Sequence, residues 1–302
     1  ALITGISLMC MEVMNELGTF ELLNIPSIST GIAENWIIEG NPKNAIGLSL
    51  VALLIIFTLI IFEKFSRRKS KRWSENPASQ DSQGWELKKH RAFLAIIISL
   101  FPPIFSFGIP CFWVLLNIDQ IQKGLSIELF TLSFRTIGLG LITALITMIF
   151  SLILSLSSRP NKSILQRLTT NLAGIGYAIP GTVIALSLIN ISSSKFNFIA
   201  ICLLIWGYLV RFLTISKGSI DSSLERISPS LDEAALGLGE NWLGIIKRIY
   251  LPLLRGPIFV GSLLVFVDTI KELPITFILR PFDFDTLSVR IYQYAGDERM
   301  VE

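Results

Sequence analysis

The chain has 302 residues, 51% hydrophobic and 16% charged, with a formal net charge of +3 and a mean hydropathy of +0.62. Soluble domains carry about 25% charged residues, so this composition indicates a polytopic membrane protein, expected to be all-α, and the basic residues lie in loops beside spans, which argues against a nucleic-acid binder. His90 is the only histidine, and Cys10, Cys111 and Cys202 stand far apart in or beside apolar runs. A His-based metal or catalytic cluster and a disulfide framework are thereby excluded, and the cysteines read as buried small hydrophobes.

A spanning helix needs about 20 apolar residues. Residues 1–14 read as the end of one such helix, and the sequence is expected to be a fragment of a longer protein. A turn-rich stretch follows, with Pro26, Gly31, Gly40 and Pro42. Further spans are predicted at 45–62, 92–117, 128–157, 168–190, 196–215 and 256–273, about seven in all at this length per span. Residues 63–91 form a polar linker, basic at both ends and rich in Ser, Asn, Pro and Gln in the middle, a composition that resists folding. The expected organisation is therefore 1–62, the linker 63–91, and 92–302.

Lys and Arg concentrate in loops on the cytoplasmic side of a membrane. Alternate loops hold Lys64, Arg67, Arg68, Lys69, Lys71, Arg72, Lys88, Lys89 and Arg91, then Arg159, Lys162 and Arg167, then Arg211, Lys217, Arg226, Lys247, Arg248 and Arg255. The opposite loops hold only Lys43, Lys123, Lys195, Lys271, Arg280, Arg290 and Arg299. The first set is read as cytoplasmic. Arg135, inside a span, is expected to snorkel to the outer interface rather than to meet a substrate.

Gly174-Ile-Gly-Tyr-Ala-Ile-Pro-Gly181 interrupts the 168–190 span. Pro180 removes a helix hydrogen bond, so a kink is predicted, either purely structural or lining a pathway beside Tyr177.

Residues 228–252 are a polar, helix-prone segment between apolar runs. Ser228 and Ser230 are candidate N-caps, Pro229 suits a first turn, and Ser230-x-x-Glu233 has the form of a capping box. Ala234 and Ala235 favour helix and permit close approach. Gly239 can end the helix in a left-handed conformation, and Asn241 can cap a second helix carrying Trp242, Ile245, Ile246 and Ile249, closed by Pro252. This is either a plain amphipathic connection or a knob that docks into a partner.

The residues Glu233-Ala234-Ala235, then Gly239, then Ile249-x-Leu251-Pro252, resemble the signature loop of bacterial ABC importer permeases, of the MetI-like fold. That resemblance implies that 228–252 is the coupling loop, with Glu233, Ala234, Ala235, Gly239, Trp242, Ile249, Leu251 and Pro252 against a cytoplasmic ABC ATPase. It also implies an extracytoplasmic solute-binding protein and a place in a bacterial inner membrane.

Asp268 and Glu272, four apart on a predicted helix, share a face with Lys271 near, before Pro274 stops or kinks the helix. This is either an outer-surface loop with local pairing or an outer gate of Asp268, Lys271, Glu272 and Pro274, with Tyr177 and Pro180 behind it. Lys271-Glu-Leu-Pro274 followed by Leu279-Arg-Pro-Phe-x-Phe-Asp-Thr-Leu287, and the stretch 292–298, resemble the ferric-iron branch of these permeases. Leu8–Leu17 also lies over Leu264–Leu273, with acids four apart in both, Glu12 and Glu16 against Asp268 and Glu272. Such a repeat suggests two fused halves.

No Gly-x-x-x-x-Gly-Lys-Ser/Thr loop occurs, so the chain is not expected to be an enzyme or to hold a cofactor. ATP would be bound by the partner. The reading is the membrane subunit of an ATP-driven importer, with ferric iron as the cargo that the resemblance implies. Another small solute, or a secondary transporter using intramembrane charge, remains the alternative.

Overall fold

The computed structural model describes residues 2–68, 87–118, 127–157, 159, 173, 175–189, 197–228 and 230–297, and among these the chain is helical without strands. The middle of the predicted linker, part of the 168–190 segment with Gly174, and Lys162, Arg167, Pro229 and Glu298 lie outside the described residues. The helices are α1 (Leu2–Asn15), α2 (Gly18–Leu22), α3 (Ile28–Ile37), α4 (Pro42–Arg68), α5 (Lys89–Leu116), α6 (Ile127–Ser157), α7 (Gly181–Ile189) and α8 (Asn197–Leu224). They continue with α9 (Ser230–Gly237), α10 (Trp242–Leu253), α11 (Arg255–Lys271), α12 (Pro274–Leu279) and α13 (Leu287–Gly296).

The stretch Pro42–Phe62 of α4, α5, α6 and Phe198–Leu224 of α8 are each long and apolar enough to cross a membrane, and the bent pair α10–α11 makes a fifth candidate. At 14 residues, α1 is short of a full crossing. Pro102 and Pro103 remove backbone donors inside α5, and the helix passes through a π-turn at Ile104–Gly108. None of the residues of α5 is buried by the rest of the protein.

The core is three helices, α6, α8 and α11, packed on one another. Small polar side chains on α6, Thr136, Thr143, Thr147 and Ser151, are fully buried and let the neighbouring backbones come close. Leu139, Leu204, Tyr208, Phe212 and Val265 fill the space between, joined by Ile184 and Ala185 of α7 and by Ile275 and Leu279 of α12. On its other side α7 packs through Val183 and Leu186 against Ile32 of α3 and Ala45 and Ala52 of α4. Through α7, the first 62 residues and the later helices share one packed body.

The expected break at Pro180 is present. A 3₁₀ turn at Gly176–Ala178 leads to extended backbone at Ile179, and α7 starts after Pro180, whose carbonyl accepts the N–H groups of Val183 and Ile184. The turn lies directly on the backbone of α8: a Cβ at Gly176 would sit 1.9 Å from the Val210 carbonyl oxygen. Only glycine permits that approach.

Three expectations are corrected. Cys10, Cys111 and Cys202, expected to be buried, are all exposed, on α1, α5 and α8. Arg211 and Lys217, taken as loop cations, lie inside α8, and both are buried; the orientation bias rests on the remaining residues. The helix carrying Asp268 ends at Lys271, so Glu272 is not the next residue on its face: it is an extended C-cap (ψ 118°), and Pro274 opens α12 rather than stopping α11.

The repeat seen in sequence extends into local structure. Helix α1 ends at Asn15 and α11 at Lys271, and each is followed by a short helix, α2 or α12. Each copy then turns through a left-handed non-glycine residue, Asn24 (φ 53°) or Asp283 (φ 62°). Each next has an extended hydroxyl residue at the N-cap, Ser27 or Thr286, and each closes with a helix of 10 residues, α3 or α13.

The Gly176 contact gives a direct test. Gly176→Ala is expected to lower thermal stability in detergent, at an overpacking cost of about 1–3 kcal/mol. Gly218→Ala, in α8 with nothing within 4 Å of a new Cβ, is expected to leave the melting temperature unchanged or higher.

Candidate functional site

Two polar constructions stand at the two ends of α11. The first is the segment 228–254. At its start Ser228 Oγ accepts the Ser230 N–H at 3.3 Å and pairs with Ser230 Oγ at 2.7 Å. The cap therefore comes from Ser228, and the expected reciprocal box between Ser230 and Glu233 is not seen among the described contacts. Helix α9 ends as expected. Gly239 is left-handed (φ 84°), its N–H reaches the Leu236 carbonyl, and the Glu240 N–H reaches back to Ala235. This double closure requires a residue free of Cβ strain at Gly239. The Asn241 side chain then accepts the Gly244 N–H at 2.7 Å and starts α10.

The helix pair has an inner and an outer face. Ala235, Ile245, Tyr250 and Leu254 are buried against Met148, Leu156, Ile220 and Leu224, with Trp242 and Ile249 packed alongside. Trp242 meets Tyr250 edge to face at 6.2 Å. Glu233, Ala234 and Gly239 lie on the exposed side, as do Leu251 and Pro252. Leu236, Leu238 and Leu243 are exposed beside them, Leu238 at 87%.

Arg159, just past α6, holds this segment in place. Its Nε donates to Asp232 Oδ2 at 2.9 Å, and its two Nη groups donate at 2.7 Å to the Leu224 and Ile227 carbonyls. Its guanidinium also lies 5.2 Å from the centre of the Tyr250 ring, and the Tyr250 hydroxyl donates to Asp232. One planar cation thus ties the end of α8, the start of α9 and the middle of α10 together, a geometry a lysine ammonium does not reproduce. At the far end, α10 meets α11 at a bend of 71°, placed at Leu254 rather than at Pro252.

The second construction is a cavity of about 100 Å³ at the other end of α11. Tyr177, Asp268, Lys271, Glu272 and Pro274 all line it, so five of the six expected gate residues are brought together; Pro180 is buried behind the turn and does not line it. Both copies of the repeat contribute at matching positions: Glu12 with Asp268, Asn15 with Lys271, Glu16 with Glu272, Leu17 with Leu273, Gly18 with Pro274. Glu12 and Glu16 entered the sequence reading only through the repeat.

Arg211 is the residue that reading misplaced. It sits midway along α8, 4% exposed, with Nη1 3.5 Å from Glu272 Oε1. The same carboxylate oxygen accepts the Ile275 N–H at 3.2 Å, and the Glu272 carbonyl accepts the hydroxyls of Thr276 (2.7 Å) and Ser288 (3.0 Å). Gly181 makes room for the pair, since a Cβ there would lie 2.4 Å from Arg211 Nη1. The available signal was a lone arginine within an apolar run, which marks a buried functional or structural charge.

Nearer the opening, Lys271 Nζ lies 3.0 Å from Asp268 Oδ1 and 3.6 Å from Glu12 Oε1, and the Tyr177 hydroxyl donates to Glu12 Oε2 at 2.8 Å. Arg135 does reach an end of the bundle: its Nη1 donates to the Asp283 carbonyl at 3.1 Å beside the Phe284 ring. Beyond the spans, Tyr292 of α13 is held above its usual pKa by burial and by its hydrogen bond to Glu21.

Against known proteins, residues 151–280 match the binding-protein-dependent transport system inner membrane component. The match runs from the end of α6 to the end of α12, and so takes in Arg159, the helix pair 230–253, Arg211 and the second-copy carboxylates. The chain is also 26% identical over 307 aligned residues, 97% of its length, to the Fe(3+)-transport system permease protein FbpB 2 of Haemophilus influenzae. It spans 60% of that relative. Among the described residues the chain is all-helical, with four helices, or five counting the bent pair, long and apolar enough to cross a membrane, and its residues 151–280 are similar to an inner-membrane transport component.

The two arginines yield separable expectations. Arg211→Met leaves Glu272 buried without its counter-charge, at a cost of about 3–5 kcal/mol, and Arg211→Met/Glu272→Met is expected to recover most of the lost melting temperature. Arg159→Met is expected to speed proteolytic cleavage within 228–254 while leaving the remaining fragments protected, with Arg159→Lys in between.

Proposed function

We propose that the chain forms the translocation path of an importer for ferric iron, driven by a cytoplasmic ABC ATPase that docks on the 228–252 loop. A solute-binding protein delivers cargo on the opposite side. The observation that carries this reading is the placement of the two constructions on one helix. α11 begins at the bend out of the loop and ends at the Asp268–Pro274 cavity. Its 17 residues span about 25 Å at 1.5 Å per residue, close to the thickness of a hydrocarbon core.

In this reading the exposed face of Glu233, Ala234, Gly239, Leu251 and Pro252 meets the ATPase, with Trp242 and Ile249 stiffening it from behind. Closure of the ATPase on ATP moves the clamped helix pair as one body. α11 carries that movement to the outer gate, where Asp268, Lys271, Glu272 and Pro274 face Tyr177 of the broken segment before Pro180. The repeated elements α1–α3 and α11–α13 support two fused permease halves, 1–62 closing one and 92–302 belonging to the other, with 63–91 between them. Ferric iron is supported by the resemblance of the Lys271–Leu287 stretch and by the name of the relative.

The test is ferric-iron uptake into proteoliposomes holding the whole permease with its ATPase, binding protein outside, ATP inside or absent. ATP-dependent uptake is expected, and Gly239→Asp should abolish it by disturbing the left-handed turn; normal uptake in that variant with the ATPase still bound would discard the coupling role. ATP hydrolysis stimulated by the binding protein without iron uptake would discard the cargo. Uptake that ignores ATP and follows an ion gradient would discard the importer reading.

A further inference from the structure

The outer part of the cavity has a feature that an outer gate does not require. Lys271 places its ammonium between two carboxylates that occupy matching positions in the repeat, Asp268 at 3.0 Å and Glu12 at 3.6 Å. The other oxygen of Glu12 accepts the Tyr177 hydroxyl. Two carboxylates, from α1 and α11, thus meet one tethered cation, and the hydroxyl from the 3₁₀ turn stands on the far oxygen of one of them.

The lysine is weakly retained. Its side chain is 59% exposed, it swings on a flexible four-carbon stem, and exposed ion pairs hold by about 1 kcal/mol or less. Asp268, 17% exposed on the three-helix core, is held more firmly than Glu12, and Tyr177 is held from behind, its N–H on Thr214 Oγ1 at 3.4 Å.

An independent observation points to a ligand. Asn15 holds in the first copy the position Lys271 holds in the second. It is 5% exposed, lines the same cavity, and its Oδ1 accepts no hydrogen bond although its amide nitrogen donates to the Met11 carbonyl. A buried carbonyl oxygen without a donor costs free energy that a cation or its bound water removes. Glu272 is already neutralised by Arg211, and Glu16, which also lines the cavity, has Oε1 engaged by the Thr19 N–H and hydroxyl, so attraction for a cation concentrates at Glu12 and Asp268. A cavity of about 100 Å³ admits an ion with a few waters, not an organic chelate.

We propose that Glu12, Asp268 and the Tyr177 hydroxyl form a waypoint for a hard multivalent cation, occupied by the Lys271 ammonium as a stand-in until the ion displaces it. Hard cations take oxygen donors of this kind. The neutral phenol turns a lone pair to the ion and keeps its proton, and Lys271 leaves as the ammonium it already is. The inference rests on the transport reading for its cargo but not for its geometry.

The test uses the whole permease in nanodiscs, without ATPase or binding protein, titrated with terbium(III) and followed by its tyrosine-sensitised luminescence at fixed pH. Lys271→Met is expected to bind terbium about tenfold more tightly, because a competing charge is gone. Lys271→Arg should stay near the parent. Glu12→Gln/Asp268→Asn should lose the signal while keeping its melting temperature, and Tyr177→Phe should dim the emission more than it weakens binding. Unchanged affinity in Lys271→Met, or parent-like binding in Glu12→Gln/Asp268→Asn, overturns the waypoint. The proteoliposome assay separates the two readings. Iron uptake that needs ATP but ignores the Lys271 and Glu12/Asp268 variants sinks the waypoint alone. Terbium binding in the expected order, with uptake indifferent to ATP, sinks the importer alone.

Discussion

A guanidinium buried midway along an apolar helix has to be neutralised, and much of this structure follows from how Arg211 is. Its partner Glu272 lies beyond the end of α11, on backbone that has left the helix (ψ 118°). The carboxylate that meets the arginine also accepts the first free N–H of α12, and the carbonyl of the same residue accepts two hydroxyls. A buried pair adds little net stability over a hydrophobic replacement, but losing one partner is severe. Its effect here is positional. The helix break, the start of α12 and the bare Gly181 against the pair are all consequences of bringing that carboxylate to that arginine.

The waypoint lies on the exposed side of this pair, and the contrast between the two acidic positions is physical. Glu272 is buried, over-coordinated and committed to structure. Asp268 and Glu12 are more accessible and are neutralised by one mobile ammonium. The same sequence spacing, acid to acid at four residues, therefore supplies a fixed charge and an exchangeable one, because the helix ends between them.

The 228–252 segment was legible from sequence because its determinants are local. Gly239 and Asn241 act on backbone within five residues, and both behave as their chemistry dictates. Spans were legible from apolar length alone, as in α4, α6 and α8. The repeat was visible in a ten-residue alignment, and the structure extends it through Asn24 and Asp283, whose left-handed turns carry no glycine to announce them. What was not legible depends on contacts far apart in the chain. The break before Glu272 answers Arg211, sixty-one residues away. Arg211 itself looked like a loop cation because hydropathy reports no partner. Arg159, a basic residue counted only for orientation, proves to hold three elements through carbonyls at Leu224 and Ile227 that no side-chain pattern records.

The 71° bend at Leu254 sets the leverage of the molecule. α10 and α11 meet as the two arms of a crank, one carrying the exposed Leu243, Leu251 and Pro252 and the other reaching the cavity. Over an arm of about 25 Å, a tilt of about 10° moves the far end by about 4 Å. That displacement exceeds the 3.6 Å between Lys271 Nζ of α11 and Glu12 Oε1 of α1, while the Lys271–Asp268 pair, within α11, moves as a unit. Such a tilt of α11 is therefore large enough to open the Lys271–Glu12 contact between α1 and α11.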